Sequence, residues 1–99
     1  MGWADNHIKR LAMGQTVVFR PRGHSMKGRV NHGQKVTVEP IGKHELSKGD
    51  IVLCSVRGAQ YLHLVKGVDA DRVLIGNNRG GTNGWTSKVC VYGICTKVE

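Results

Sequence analysis

After residue 15 the chain consists of short apolar runs that alternate with polar positions and are separated by turn-forming residues. The segment QKVTVE, for example, alternates Val36 and Val38 with polar neighbours, as expected of a half-buried strand. Strands are predicted at 16–19, 34–39, 51–56, 61–65, 72–75 and 88–96. Five or six short strands at regular spacing, with one short N-terminal helix, indicate a mostly-β, compact, barrel-like domain.

The first 14 residues follow a different pattern. Ile8 and Leu11 lie at helical spacing, which predicts a short helix over 4–13. The chain is therefore divided into an N-terminal helix or arm at 1–14 and a β domain at 15–99.

Glycine marks two further features of the pattern. The stretch GNNRGGTNGW at 76–85 is rich in Gly and Asn and is interpreted as a loop between strands. Gly93 lies inside the last predicted strand, where a glycine indicates a bulge or a close approach of two backbones.

A titratable residue interrupts the predicted strand YLHLV. Alternation places Tyr61, His63 and Val65 on one face of this strand and Leu62 and Leu64 on the other. A histidine in an apolar strand needs a partner or a function. The strand pattern by itself leaves two interpretations open, a half-buried histidine that is merely hydrogen-bonded and a catalytic base.

Composition narrows the classes of function. Ninety-nine residues form one domain with one small core, and no apolar run reaches the roughly 20 residues that cross a bilayer. No secretory signal is apparent, so the chain is expected to be soluble and cytoplasmic.

The three cysteines include no C-x-x-C pair and are expected to be buried free thiols. The five histidines lack the paired spacing of metal ligands. Neither a metal nor another cofactor is predicted.

The charge is strongly positive, with 15 Lys and Arg against 7 Asp and Glu and a net charge of +8. Arg20, Arg22, Lys27 and Arg29 surround Ser25 with no acidic residue between them. This basic cluster is either a solvated rim or a surface that binds an acidic protein or peptide, or the phosphates of a nucleic acid.

Ser25 lies in the segment GHSM, between a glycine-containing turn and an apolar residue. A serine held at the rim of a sheet in this way can have backbone N–H groups beside it, as an oxyanion hole requires. A turn serine that only satisfies local backbone groups is the alternative. If Ser25 is a nucleophile it needs a base, and His63 is the strongest of the five histidines because of its apolar setting.

The order of several short motifs resembles the serine-peptidase superfamily of signal peptidases and self-cleaving repressors, over about residues 17–97. In chain order the motifs are GHSM (23–26), GQKVTV (33–38), KGDIV (48–52), YLHLVKG (61–67), IGNN (75–78) and VYGI (91–94).

The resemblance implies a role for four positions. Ser25 matches the nucleophile, and the backbone N–H groups of Ser25 and His24 match the oxyanion donors. His63 lies where bacterial members place a catalytic lysine and where the branch from eukaryotic and archaeal secretory membranes places histidine. Asn77 replaces the acid of that branch's G-D-N motif and is the candidate for orienting the imidazole. Gln34 also departs from the usual Gly-Asp of the family.

Two functions follow from these observations. The first is a serine endopeptidase or self-processing domain with a Ser25–His63 dyad and a peptide or protein substrate. The alternative is a catalytically silent, basic interaction module on the same fold, which binds an acidic protein or a nucleic acid. Fold resemblance alone does not separate the two, because function depends on the site.

Overall fold

The computed structural model describes residues 2–99 and contains one helix, seven strands and a 3-10 turn. The helix is α1 (Asp5–Ala12), and the 3-10 turn covers Lys88–Cys90. The strands are β1 (Val17–Phe19), β2 (Val36–Pro40), β3 (Ile51–Val56), β4 (Ala59–Val68), β5 (Arg72–Gly76), β6 (Thr82–Ser87) and β7 (Val91–Val98). The prediction of a mostly-β domain with one short helix is confirmed.

The seven strands form a single sheet in the order β1-β2-β7-β3-β4-β5-β6, and all neighbouring pairs are antiparallel. The predicted barrel is not closed, because β1 and β6 are the two edges of the sheet and do not pair with each other. The sheet nevertheless curls. The Thr86 hydroxyl on β6 donates a 2.8 Å hydrogen bond to the Ser55 carbonyl on β3, although two strands separate β6 from β3.

The β3–β4 hairpin lies between two apolar clusters, and alternate residues of each strand enter opposite clusters. Leu62 and Leu64 join the first cluster with residues of α1, β1 and β2. Val65 joins the second cluster with residues of β5 and β7, and Tyr61 packs against it. The predicted alternation along YLHLV is therefore confirmed, and it fixes the face on which His63 lies.

The helix α1 packs against β7, β1 and β2, and its N-terminal end lies beside the start of β4. Leu11 is buried in the first cluster, as its helical spacing predicts. The Gln60 side chain of β4 holds the other end of the helix. Its Oε1 accepts from the Ala4 N–H at 2.7 Å, and its Nε2 donates to Asp5 Oδ1 at 2.6 Å. The N-terminal residues are thereby fixed beside β4.

The sequence prediction misses β6, which begins within the stretch interpreted as a loop and ends two residues beyond it. Gly84 has a positive φ of 124° inside this strand, a conformation that glycine adopts readily. Trp85 and Thr86, which favour strands, follow it and pair with β5. The last strand starts at Val91 rather than at residue 88, because Lys88–Cys90 forms the 3-10 turn.

Gly93 is a site of close backbone approach, as predicted. A methyl group at this position would lie 2.7 Å from Val38 Cγ1 and 2.8 Å from the Glu39 carbonyl oxygen. The neighbouring Tyr92 has no partner in the register between β3 and β7, so a bulge adjoins the glycine.

All three cysteines are free thiols, but only Cys54 is fully buried. Burial, with a smaller contribution from the nearby Cys90, raises the pKa of Cys54 to about 12. Cys90 and Cys95 are half-buried, so the expectation of burial is wrong for these two. Among residues 2–99, no helix has the length and apolar character needed to cross a membrane.

Candidate active site

Ser25 and His63 lie together, although 38 residues separate them in the chain. The Ser25 Oγ is 3.0 Å from the His63 Nε2. Ser25 belongs to the irregular segment between β1 and β2, whereas His63 lies in the middle of β4. The buried side chains of Met26 and Val30 anchor the Ser25 segment in the first cluster. The distance is that of a hydrogen bond between a nucleophile and its base.

The other nitrogen of His63 contacts an asparagine that the sequence did not single out. Asn83 Oδ1 is 2.7 Å from His63 Nδ1. An amide oxygen only accepts hydrogen bonds, so the proton of the neutral imidazole lies on Nδ1. Nε2 then accepts from the Ser25 hydroxyl. The chain Ser25–His63–Asn83 thus holds the imidazole in the tautomer that can take the serine proton.

A bulge in β6 positions Asn83. Ile75 pairs with Gly84 and Gly76 pairs with Thr82, so Asn83 is the extra residue without a partner on β5. Bulges re-aim side chains and often occur next to active sites. The curl of the sheet also contributes, because His63 lies on β4 and Asn83 lies two strands away on β6.

The surroundings of His63 keep its imidazole neutral. Its side chain is buried, with 8% relative exposure, and its ring stacks on Tyr61 at a centroid distance of 4.8 Å. Burial lowers the pKa of His63 below its ordinary value of 6.5, and the hydrogen bond to Asn83 opposes this shift without cancelling it. At neutral pH the residue is therefore an unprotonated base.

Asn77, the residue predicted to orient the imidazole, has a different role. Its Oδ1 accepts from the backbone N–H groups of Arg79 and Gly81, each at 2.9 Å. These bonds shape the tight turn after β5, where short asparagine side chains commonly bond to nearby backbone. Asn83 takes the predicted role instead. The sequence signal for Asn83 was weak, because its Asn-Gly pair is typical of a turn.

Asn78, the next residue of the same motif, connects the turn after β5 to the Ser25 segment. Its backbone N–H donates to the Ser25 carbonyl at 2.8 Å, and its Nδ2 donates to the Lys27 carbonyl at 2.8 Å. These two bonds hold the backbone at Ser25 and two residues after it. Asn78 is a positioning residue that sequence reasoning did not identify, although it lies beside the residue that was chosen.

The predicted oxyanion donors are unengaged within the described part of the chain. Across residues 2–99, neither the His24 nor the Ser25 backbone N–H donates an intramolecular hydrogen bond. The His24 carbonyl, in contrast, is engaged, because it accepts a hydrogen bond from the Lys27 N–H at 3.1 Å. An oxyanion hole requires backbone N–H groups that are not committed to other hydrogen bonds, and the N–H groups of His24 and Ser25 meet that condition.

The four basic residues around Ser25 do not form one surface. Arg20 and Arg22 line the cleft that opens beside Ser25, and Arg20 Nη1 donates to the Gly33 carbonyl at 2.7 Å. Arg29 instead lies in a separate shallow hollow, where its Nη2 donates to the Gly49 carbonyl at 3.0 Å. Lys27 is exposed but lines neither cavity. The structure therefore divides the predicted cluster.

The cleft beside the Ser25–His63 pair has a volume of about 570 Å³, within the range of roughly 300–1,000 Å³ typical of ligand pockets. Ser25 and His63 both line it. In the described residues, 2–99, no three side chains of His, Cys, Asp or Glu come close enough together to hold a metal ion.

Comparison of the chain with protein-family models finds no match, and comparison with curated proteins finds none either. The relationship to signal peptidases and self-cleaving repressors stays a prediction from the sequence motifs. What the site can do must accordingly be argued from its own geometry.

Proposed function

We propose that this protein is a serine endopeptidase or self-processing domain that uses Ser25 as nucleophile and His63 as general base. One observation carries the proposal, the continuous hydrogen-bonded chain from Ser25 Oγ through both nitrogens of His63 to Asn83. A turn serine that only satisfied local backbone would not need a buried neutral histidine at 3.0 Å.

In the proposed reaction Ser25 Oγ attacks the carbonyl carbon of a peptide bond while its proton passes to His63 Nε2. The backbone N–H groups of Ser25 and His24 hold the negative oxygen of the tetrahedral intermediate. His63 then gives the proton to the leaving amine nitrogen, the C–N bond breaks and an acyl-enzyme remains. A water molecule repeats the sequence, losing its proton to His63 and releasing the acid from Ser25, whose oxygen is reprotonated.

We also infer kinship with the superfamily of signal peptidases and self-cleaving repressors, in its histidine-base form. The ordered sequence motifs support this, and so does the arrangement of a nucleophile before the second strand and a base on a central hairpin. The sheet would then be a variant of that family's barrel-like fold in which the edges β1 and β6 are not joined.

The direct test is covalent labelling with a fluorophosphonate, which reacts with activated serines. Wild-type protein is expected to incorporate one probe, Ser25→Ala to incorporate none, and Ser47→Ala, which changes an exposed serine outside the cleft, to label normally. Mass spectrometry of the labelled peptide identifies the residue. Failure of the folded wild type to label at neutral pH would refute the proposal that this protein is a serine peptidase.

The second candidate is a silent module that binds an acidic partner or a nucleic acid. The observation that favours it is the pair of exposed arginines, Arg20 and Arg22, at the cleft mouth. Binding of a polyanion should weaken steeply with salt, and Arg22→Gln should make the log–log slope shallower. Salt-sensitive binding together with absent labelling would favour this candidate over the peptidase.

A further inference from the structure

One wall of the cleft beside Ser25 is aromatic. The rings of His7 and Phe19 stack with centroids 4.3 Å apart and an interplanar angle of 18°. Trp3 packs against both rings, at 5.8 Å from Phe19 and 6.4 Å from His7. Trp3 lines the cleft and is 54% exposed, so part of its ring surface is free to contact a ligand.

Backbone and side-chain bonds hold this wall in place. The Trp3 indole N–H donates to the Gln60 carbonyl at 3.0 Å, so the ring cannot swing away without losing that bond. The same Gln60 side chain fixes the start of α1. The N-terminal residues therefore belong to the cleft as one of its walls.

The wall and the floor of the cleft are both apolar. Met26, Val30 and Leu62 line the cleft and are nearly fully buried. Burial lowers the pKa of His7, and a smaller contribution from Arg10 acts in the same direction. The wall is therefore uncharged at neutral pH. A bulky apolar side chain that packs against it removes apolar surface from water, which favours binding.

The rim of the cleft, unlike its wall and floor, is positively charged. Arg20 and Arg22 line it, and no Asp or Glu in residues 2–99 does so. The Asp5 carboxylate at the start of α1 accepts from Gln60 Nε2 and does not line the cleft. An unopposed positive rim beside a low-dielectric wall attracts negative charge on a ligand.

We propose that this cleft binds a peptide in which a bulky aromatic or aliphatic residue is followed or preceded within two positions by an acidic residue. Trp3 and Phe19 select the apolar side chain, and Arg20 and Arg22 select the acidic one. This inference rests on the proposed function, because it names the substrate class of the same site. It also assigns the N-terminal arm a role in specificity.

Binding to the Ser25→Ala variant tests this inference independently of catalysis. Three fluorescent peptides of equal length serve as probes, one with a Phe-Asp pair, one with Ala-Asp and one with Phe-Lys. Fluorescence anisotropy should give the Phe-Asp peptide on the order of tenfold tighter binding than either of the others. Trp3→Ala should remove the preference for Phe over Ala, and Arg22→Gln should reduce the preference for Asp over Lys.

Matched control variants separate these effects from general damage. Trp85→Ala removes a second exposed tryptophan, 43% exposed on β6, that does not line the cleft, and Lys43→Gln removes an exposed charge elsewhere. Both should bind the Phe-Asp peptide as Ser25→Ala does when combined with it. Thermal unfolding checks that Trp3→Ala remains folded.

Two outcomes would overturn the inference. One is equal affinity for the three peptides. The other is Trp3-dependent binding of a single-stranded oligonucleotide with no binding of the peptides, which would indicate base stacking on the aromatic wall. Either result can occur while fluorophosphonate still labels Ser25, so failure of the specificity is distinguishable from failure of the peptidase. Selective peptide binding without labelling would support the cleft and refute the catalysis.

Discussion

The two halves of the candidate site are built differently. The base half consists of His63 on β4, paired to β3, with buried neighbours on both sides and Tyr61 stacked on its ring. The nucleophile half consists of Ser25 in an irregular segment that joins the edge strand β1 to β2. That segment is anchored by two buried side chains and by two hydrogen bonds from Asn78.

The contrast separates two ways of losing activity. The orientation of His63 is fixed by the sheet itself, because the strand cannot turn without exposing Leu62 and Leu64. The position of Ser25 depends on a few local bonds that can be removed singly. Substitutions in the base half should therefore change the chemistry and its pH dependence, whereas substitutions around Ser25 should change alignment.

His63→Ala should have the largest effect, because it removes the base from the half that the fold holds most firmly. We expect a loss of about 10²–10⁴-fold in the rate of fluorophosphonate labelling or peptide cleavage. The matched control is His44→Ala, an exposed histidine in a loop, which should react like wild type. Unchanged reactivity in a folded His63→Ala variant would send the search for the base to His24 or His32.

Asn83→Ala should have the next largest effect. The hydrogen bond from Nδ1 becomes a bond to a charged imidazolium when Ser25 attacks, and such bonds contribute about 1.5–3 kcal/mol. The expected loss is roughly 10- to 150-fold in labelling rate. Asn77→Ala is the comparison, because Asn77 shapes the turn that carries Asn78 and does not contact His63 in a hydrogen bond, so its effect should be smaller. A larger loss in Asn77→Ala than in Asn83→Ala would contradict the assignment.

Sequence reasoning could reach the Ser25–His63 pair. The strand YLHLV alternates strictly, and alternation fixes which face of a strand a residue occupies, so His63 could be recognised as an anomaly in an apolar run. The motif order then placed Ser25 beside it. Both inferences use local pattern or linear order, which a sequence displays directly.

The orienting residue was out of reach for a physical reason. Asn83 contacts His63 only because β6 bulges at that residue and the sheet curls across β4, β5 and β6. Neither the bulge nor the curl leaves a periodic signal, and Asn-Gly is a stronger turn signal than a strand signal. The sequence also did not show that β1 and β6 remain unpaired. Closure of a sheet into a barrel depends on curvature summed over all seven strands, which no single segment of the sequence displays.

Asn78→Ala tests the nucleophile half and should have a smaller effect. The backbone bond to the Ser25 carbonyl remains, and only the Nδ2 bond to the Lys27 carbonyl is lost. A neutral hydrogen bond contributes about 0.5–1.5 kcal/mol, so the labelling rate should fall about 2- to 10-fold. The pH midpoint of the reaction should not move, because His63 is untouched. Asn6→Ala, which changes an exposed residue of α1, is the control.

The smallest effect on the maximal rate, and the most specific for His63, should come from Asn83→Asp. In the wild type, burial lowers the pKa of His63 more than the Asn83 hydrogen bond raises it, so the acid limb of the pH–rate profile should have its midpoint below 6.5. A carboxylate in place of the amide favours the imidazolium, and the midpoint should rise by about one pH unit or more.

Asn83→Asp should also alter how the stability of the fold depends on pH. With a lowered pKa in the folded state, His63 contributes stability that is complete above about 6.5 and is lost as pH falls through the folded pKa, because the unfolded chain binds the proton first. His7, whose pKa is also lowered, acts in the same direction and is unaffected by the substitution. The difference between wild type and Asn83→Asp therefore reports on His63 together with the introduced carboxylate, and the variant should lose less stability than wild type between pH 7 and pH 5. NMR titration of the His63 ring and denaturant unfolding at both pH values measure the two effects. A wild-type midpoint at or above 6.5 would show that burial does not dominate the pKa of His63, and a midpoint that Asn83→Asp leaves in place would show that Asn83 does not govern the proton on His63.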